Sequence, residues 1–137
     1  MILQDKGHII TIASVASFVA LPTAVDYSAS KAGAMAFHEG LSTEMKTIYK
    51  APGVLTTIVH PCWVNTDMTA KHAATIEKFN GPMMSPQMIA EPVLNQILAR
   101  RGGQLVIPDS YSWLSALRGL PNWFQELVND LQGRASG

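Results

Sequence analysis

The sequence has no excess charge of either sign. Its 137 residues include 10 lysines and arginines and 10 aspartates and glutamates, so the formal net charge is zero. The longest basic run is the pair Arg100 and Arg101. Proteins that bind nucleic acid carry basic patches that follow the phosphates. We therefore expect no nucleic-acid partner.

Cysteine and metal-binding patterns are also scarce. Cys62 is the only cysteine, which excludes an internal disulfide and fits a reducing compartment. The four histidines are scattered without zinc-like spacing, so we expect no metal site. This pattern favours a cytoplasmic protein.

Long hydrophobic runs are absent too. No stretch approaches the ~20 apolar residues that span a bilayer. The first eight residues carry charges where the apolar part of a signal peptide would lie. With 47% hydrophobic content, the chain can bury one core but is too short for two domains.

What the sequence does contain is a strand, a helix and a second strand. Residues 7–13 are almost continuously apolar, as in a strand buried on both faces of a parallel sheet. Asp26 is a candidate cap for a long helix over 27–50, and residues 54–59 form a second buried strand. This βαβ order predicts an α/β fold with a right-handed crossover.

The long helix has a predicted apolar stripe that should pack on the sheet, with His38 and Glu39 on the solvated side. The stripe consists of Ala34, Phe37, Leu41, Met45 and Ile48. Residues 28–36 are nearly all small, which lets a second helix approach closely. We expect a homo-oligomer contact through helix 27–50.

The remaining chain predicts a short helix between 67 and 84, a helix from 86 to 99, and a third strand over 104–108. Residues 110–131, broken at Pro121, predict two amphipathic helices. Contact of this tail with a membrane surface is the alternative to core packing. Its mixed, sparse charges favour the core.

Ser14, Tyr27 and Lys31 carry the clearest chemical signal. Their spacing places a hydroxyl at a strand end beside a Tyr/Lys pair one helical turn apart. An ordinary tyrosine is a poor acid or base at neutral pH. The Lys31 ammonium and the helix N-terminus both favour the phenolate, so Tyr27 could exchange a proton with an alcohol or carbonyl oxygen held by Ser14. Alternatively, Ser14 only ends its strand by bonding a nearby backbone group.

Three segments together resemble the short-chain dehydrogenase/reductase family: the strand that ends at Ser14, Tyr27-Ser-Ala-Ser-Lys31, and Pro61-Cys-Trp-Val-Asn-Thr66. The resemblance implies a Rossmann-like doubly wound parallel sheet and an NAD- or NADP-dependent alcohol/ketone oxidoreductase. It further implies that Tyr27 is the catalytic acid/base, that Ser14 binds the substrate oxygen, and that Lys31 also binds the nicotinamide ribose.

The same resemblance assigns the segment 61–66 to the cofactor. Pro61, the Val64 backbone and Thr66 would contact the nicotinamide carboxamide. Cys62 replaces the family's usual glycine, and it would be strained if this position needs a positive φ. A thiol nucleophile paired with His60 is disfavoured, because the sequence places no orienting residue beside them.

The resemblance matches only the second half of the family's domain. No glycine-rich loop follows a strand, so nothing in the sequence cradles a pyrophosphate. We expect residues 1–137 to be the C-terminal half of an NAD(P)-binding domain, catalytic only when the N-terminal half is supplied. The alternative is a non-catalytic interaction protein derived from such a half-domain.

The substrate is indicated only weakly. Candidate contacts are Met83, Met84, Tyr111, Trp113, Trp123 and Phe124. Such side chains favour an apolar alcohol or ketone, such as a lipid, retinoid or steroid. The alternative is that these residues belong to the core.

Overall fold

The structure, a computed structural model, describes the backbone of residues 1–136 and the side chains of residues 1–78 and 81–131. Its strands are β1 (Gly7–Ile12), β2 (Val54–Pro61) and β3 (Gly103–Ile107). Its α-helices are α1 (Val25–Thr47), α2 (Asp67–Ala70), α3 (Ala73–Asn80), α4 (Pro86–Leu98) and α5 (Asn122–Ser136). Short 3₁₀ helices cover Ile2–Gln4, Val15–Ser17 and Asp109–Gly119.

The three strands form one parallel sheet in the order β1-β2-β3. Gly7 pairs with Val54 at the start of β1, and Thr57 pairs with Gly103 at the start of β3. The central strand is the most buried, and Thr57, Val59 and His60 are completely inaccessible to solvent. This arrangement confirms the predicted α/β class and the parallel βαβ unit.

Helix α1 packs on the sheet through a different face from the predicted one. Met35 and Met45 are buried, but Phe37 and Ile48 are 68% and 67% exposed, so the predicted stripe is wrong at these two positions. The prediction for His38 is also wrong, because this residue is only 5% exposed. Its Nδ1 lies 2.9 Å from Thr11 Oγ1 on β1, and this hydrogen bond offsets the cost of burying the imidazole.

The ends of α1 also differ from the prediction. The residue that caps the helix is Ala24, and Asp26 lies in the first turn instead. There its carboxylate accepts a hydrogen bond from the Tyr27 N–H at 2.8 Å. The helix ends at Thr47, three residues earlier than predicted, and Lys50 beyond it has φ 52°.

The main core lies where α1, the sheet and the C-terminal segments meet. Its buried residues are Ala13, Phe18, Val19, Met35, Ile58, Val106, Leu114 and Leu117. Leu114 and Leu117 come from the 3₁₀ helix Asp109–Gly119, where the sequence predicted an amphipathic helix. The second predicted helix is present as α5, and its Phe124 and Val128 pack against the core.

Part of the C-terminal tail remains open to solvent. Trp113 and Trp123 are 56% and 66% exposed, and Leu127 and Leu131 lie on the exposed side of α5. Within the described part of the chain, no helix is long and apolar enough to cross a membrane. Contact of residues 110–131 with a membrane surface stays a prediction.

Candidate active site

Ser14 is the residue that turns the chain out of β1. Its backbone is extended, with φ −170° and ψ 161°, and it caps the 3₁₀ helix Val15–Ser17. Its Oγ accepts a hydrogen bond from the Ala16 N–H at 3.1 Å and donates a longer one to the Pro61 carbonyl oxygen at 3.4 Å. Ser14 therefore performs the structural role named above as the alternative. The long bond to Pro61 is the one that a substrate oxygen could replace.

Lys31 ties helix α1 to the end of β1. Its Nζ donates to the carbonyl oxygen of Ile12 at 3.2 Å, two residues before Ser14. The same Nζ lies 5.6 Å from the centre of the Tyr27 ring. Within the described residues, the Tyr27 hydroxyl has no hydrogen-bond partner, so it is free to meet a ligand. The pair thus has an anchored cation beside an open phenol.

His60 is the site residue that sequence reasoning missed. Its side chain is completely buried, and its Nδ1 lies 3.0 Å from the Ser14 carbonyl oxygen. Its ring packs on Phe18 with centroids 4.4 Å apart. Burial lowers the pKa of His60 below its ordinary value, so the imidazole is neutral at physiological pH. The available signal was a histidine at the end of an apolar strand, directly before Pro61.

Cys62 is neither strained nor paired with His60. The non-glycine residues with positive φ among those described are Asp5, Thr23, Lys50 and Arg100, so replacing glycine at position 62 costs no backbone strain. The Cys62 N–H donates to the Ile107 carbonyl oxygen at 2.8 Å. Burial raises the pKa of its thiol, and interactions with the Trp63 backbone and the Tyr111 side chain only partly oppose this. A thiol nucleophile is therefore not supported by the geometry.

The segment after β2 holds Val64 and Thr66 in place. Val64 forms an isolated β-bridge with Met84, and its carbonyl oxygen accepts from Thr69 Oγ1 at 2.7 Å. Thr66 caps α2 through a capping box with Thr69. In the described range, the Val64 N–H has no intramolecular partner, and the Thr66 side chain is exposed.

The Val64 N–H and the exposed Thr66 side chain suit the nicotinamide end of a dinucleotide. The Val64 N–H can donate to a carboxamide oxygen, and the Thr66 hydroxyl can donate or accept. Lys31 retains N–H groups beyond its bond to Ile12, and such groups can donate to a ribose hydroxyl. The residues present therefore fit the nicotinamide part of the cofactor.

Residues 1–77 match the profile of the family described as "short chain dehydrogenase". The chain belongs to this family. The matched region is more than half of the chain, and it contains Ser14, Tyr27, Lys31 and the segment 61–66. The family predicted from the three sequence segments is thus confirmed.

Individual short-chain dehydrogenases support the same conclusion. Human estradiol 17-beta-dehydrogenase 11 is 32% identical over 125 residues, which are 90% of this chain and 40% of that protein. A short-chain oxidoreductase from Burkholderia thailandensis superposes with a TM-score of 0.64 at 23% identity, over 93% of this chain and 52% of that chain. A 4-hydroxyisoleucine dehydrogenase complexed with NADH superposes with a TM-score of 0.57 at 24% identity, over 74% of this chain and 44% of that chain. The two superpositions confirm the Rossmann-like fold, and this chain spans less than half of the curated relative.

In this short-chain dehydrogenase chain, the predicted site residues form two groups. Ser14 lies against Pro61, and Tyr27 lies beside Lys31, which reaches the end of β1. Among the described residues, no hydrogen bond joins Val64 or Thr66 to Tyr27 or Lys31. All of them follow the carboxyl ends of β1 and β2 or begin α1, the edge at which open α/β sheets bind ligands.

Proposed function

We propose that this chain carries the proton-transfer part of an NAD(P)-dependent oxidoreductase that interconverts alcohols and ketones. The observation that supports it best is the position of Lys31. Its ammonium is fixed on the end of β1 and lies 5.6 Å from the Tyr27 ring, so a positive charge is held beside an unpaired phenol. An unpaired phenol can exchange its proton with an alcohol or carbonyl oxygen, and the ammonium beside it can hold a cofactor hydroxyl.

Each residue of the proposed site has a separate task. Tyr27 gives its proton to the carbonyl oxygen in reduction and takes it back in oxidation. Ser14 gives up its long bond to Pro61 and donates to that same oxygen, which stabilises the developing charge. Lys31 places its ammonium beside Tyr27 and holds the ribose.

The cofactor is NAD or NADP, which accepts or supplies the hydride that no side chain can carry. Tyr27, Lys31, Pro61, Val64 and Thr66 line its nicotinamide end. Residues 1–137 then act as the C-terminal half of the binding domain. The pyrophosphate requires a glycine-rich loop, which this sequence does not contain, so the N-terminal half must supply it.

The substrate class is a small alcohol or ketone of lipophilic character. The human relative is named as an estradiol dehydrogenase, which supports a lipid or steroid substrate for this chain too. The aromatic and methionine residues divide between two environments. Met84 is buried and Phe124 packs on the core, whereas Trp113 and Trp123 are exposed and available for an apolar ligand.

The test is a reconstituted enzyme, with a glycine-loop half fused ahead of Met1. Turnover of lipophilic ketones with NADH or NADPH is expected, and it should disappear when Tyr27 is replaced by phenylalanine. The 137-residue chain alone should show no saturable NAD(P)H binding at micromolar concentration, because remote contacts position the nicotinamide. A folded, cofactor-binding fusion without turnover on any alcohol or ketone would contradict the proposal.

A second candidate function is a non-catalytic interaction protein. Within residues 1–136, no strand pairs with the outer edge of β1, and such an edge is a template for another chain. Helix α1 also exposes Phe37 beside Gly33 and Gly40, whose Cβ positions would meet open space. Sedimentation of the purified chain distinguishes the two candidates. A stoichiometric complex of this chain with an added dehydrogenase subunit favours the second, whereas the lack of such a complex favours the first.

A further inference from the structure

The imidazole of His60 is one of the most deeply buried polar groups among the described residues. It is completely buried, and its two ring nitrogens have unequal surroundings. Nδ1 lies 3.0 Å from the Ser14 carbonyl oxygen, whereas Nε2 is inaccessible and has no partner among the described atoms. Buried polar atoms without partners are uncommon and need a physical explanation.

We propose that His60 is a positioning residue for Ser14, held in the neutral form that carries its proton on Nδ1. The proposal rests on the proposed function, since it concerns the serine that would bind the substrate oxygen. It adds a residue outside the Ser14, Tyr27 and Lys31 set. His60 touches neither substrate nor cofactor and acts only through the backbone of Ser14.

The surroundings of the ring determine which nitrogen carries the proton. A carbonyl oxygen can only accept, so Nδ1 must be the donor to Ser14. The other neutral form would set a lone pair against that oxygen and would bury an N–H group on Nε2 without a partner. A buried donor without a partner is rarer than an acceptor without one. Both penalties disappear when the proton is on Nδ1.

Burial disfavours the charged form and outweighs the hydrogen bond to the Ser14 backbone, which favours it. The ring packs on Phe18, and burial lowers the pKa of His60. Helix α1 contributes His38, whose charge would lower that pKa further, and Glu39, which raises it. A charged imidazole would also bury a second N–H group at Nε2, where no acceptor is present in the described structure.

Two consecutive residues of β2 therefore hold Ser14 at two different atoms. His60 holds its carbonyl oxygen, and Pro61 accepts from its hydroxyl. The Ala16 N–H fixes the same hydroxyl from the other side. His60 and the Ser17 N–H both restrain the Ser14 carbonyl oxygen, and the Ala16 N–H restrains its Oγ. The oxygen therefore keeps its position when the hydroxyl proton leaves Pro61 for a substrate oxygen. This restraint reduces the orientational freedom that the transition state would otherwise have to remove.

The direct test is nitrogen NMR of the imidazoles in the 137-residue protein, which needs no activity. We expect His60 to give the shift pattern of a neutral ring protonated on Nδ1, the less common form in water. The exposed His72 is the internal reference. A ring protonated on Nε2, or on both nitrogens at neutral pH, would overturn the proposal.

Three variants separate positioning from packing. His60→Asn keeps an N–H donor near the place of Nδ1, whereas His60→Gln carries its amide one bond too far and His60→Leu has no donor. Amide exchange at Ala16 reports the Ser14 hydroxyl, because this N–H donates to it. We expect exchange about tenfold faster in the Gln and Leu variants, as for loss of one buried hydrogen bond, with recovery in the Asn variant. Equal exchange in the Asn and Gln variants would contradict positioning.

The reconstituted enzyme gives the second readout of the same variants. His60→Gln should lower kcat by about tenfold while the KM for the cofactor stays unchanged, and His60→Asn should restore most of it. If the wild-type fusion has no turnover, the proposed function fails, whereas the NMR and exchange results still decide the role of His60. If His60→Leu does not fold, the Asn and Gln variants carry the comparison.

Discussion

The two ends of the candidate site are built in opposite ways. At one end, Ser14 is only 8% exposed and is hydrogen-bonded to Ala16, Ser17, Pro61 and His60. At the other end, the Tyr27 hydroxyl has no partner among the described residues, and one bond from Lys31 to the backbone holds the neighbouring cation. The first end is interlocked with the core, and the second is open.

This difference separates what a mutation can do at each end. A change at Tyr27 removes a reactive group without disturbing packed neighbours, so it should affect chemistry alone. A change at Ser14 removes bonds that also hold the fold, so it should affect both chemistry and stability. The first two experiments below use the reconstituted enzyme, and they run from the largest expected effect to the smallest.

Tyr27→Phe should have the largest effect on turnover. It removes the exchangeable proton, and such groups contribute roughly 10² to 10⁴ in rate. We expect kcat to fall by this factor while cofactor affinity and thermal unfolding stay unchanged. Tyr49→Phe, at another solvent-accessible tyrosine, is the matched control and should change neither. Retention of more than about a tenth of kcat would contradict the acid/base role.

Lys31→Met should come second, because it affects binding and rate together. It removes the cation beside Tyr27 and the bond to Ile12. Loss of a charged hydrogen bond predicts a decrease of about 10- to 100-fold in kcat/KM for the cofactor. Lys46→Met, in the last turn of α1, is the control. An unchanged KM for the cofactor would show that Lys31 does not bind the ribose.

Ser14→Ala and Ser17→Ala test the interlocked end by stability. Both serines are buried, but Ser14 Oγ has two partners and Ser17 Oγ has none. Loss of the cap should cost Ser14→Ala about 1 kcal/mol in the free energy of unfolding. Ser17→Ala should be neutral or slightly stabilising, because it removes an unpaired buried hydroxyl. Urea unfolding checks both, and equal destabilisation would mean that volume, rather than hydrogen bonding, holds this turn.

Lowering the pH should decrease the free energy of unfolding, and we expect this to be the smallest of these effects. Burial is the main reason that the pKa values of His38 and His60 are lowered from 6.5, while Glu39 opposes the shift. Near pH 6.5 the two histidines therefore bind more protons in the unfolded chain than in the folded chain. Stability is complete above 6.5 and falls as the pH drops below it.

Urea midpoints measured between about pH 8 and about pH 5 check this expectation. His38→Asn should reduce the slope of stability against pH, whereas His72→Gln, at an exposed position, should leave it unchanged. A slope that does not respond to His38→Asn would assign the acid sensitivity to other groups. The difference between the Ser14 end and the Tyr27 end would then depend only on their hydrogen bonds.

The strands were predictable because their signal is local. Residues 7–13 and 54–59 are rich in apolar and β-branched residues, and the observed β1 and β2 end within two residues of the predicted limits. The order of the elements then placed Ser14, Lys31 and Pro61 near one edge of the sheet. The hydrogen bonds from Lys31 to Ile12 and from Ser14 to Pro61 depend on tertiary packing. The periodicity of the sequence does not encode such contacts.

The buried face of α1 could not be predicted by counting apolar residues. His38 bonds to Thr11, and Ser42 accepts a hydrogen bond from Thr56 at 2.9 Å, so polar side chains face the sheet. Phe37 is left exposed as a result. Polar pairs between a helix and a sheet look like a solvated face in the sequence.

The bond between Lys31 and Ile12 also occupies part of the outer edge of β1. The Ala13 N–H donates to the Val59 carbonyl oxygen on β2, so by alternation His8, Ile10 and Ile12 direct their backbone groups away from the sheet. Lys31 already occupies the outward oxygen of Ile12. A lysine at a strand edge discourages the addition of another strand. With Lys31 bound to Ile12, the outward backbone groups of β1 that stay unpaired among the described residues are those of His8 and Ile10. Removal of Lys31 would expose Ile12 as well and should make the edge of the sheet more prone to association.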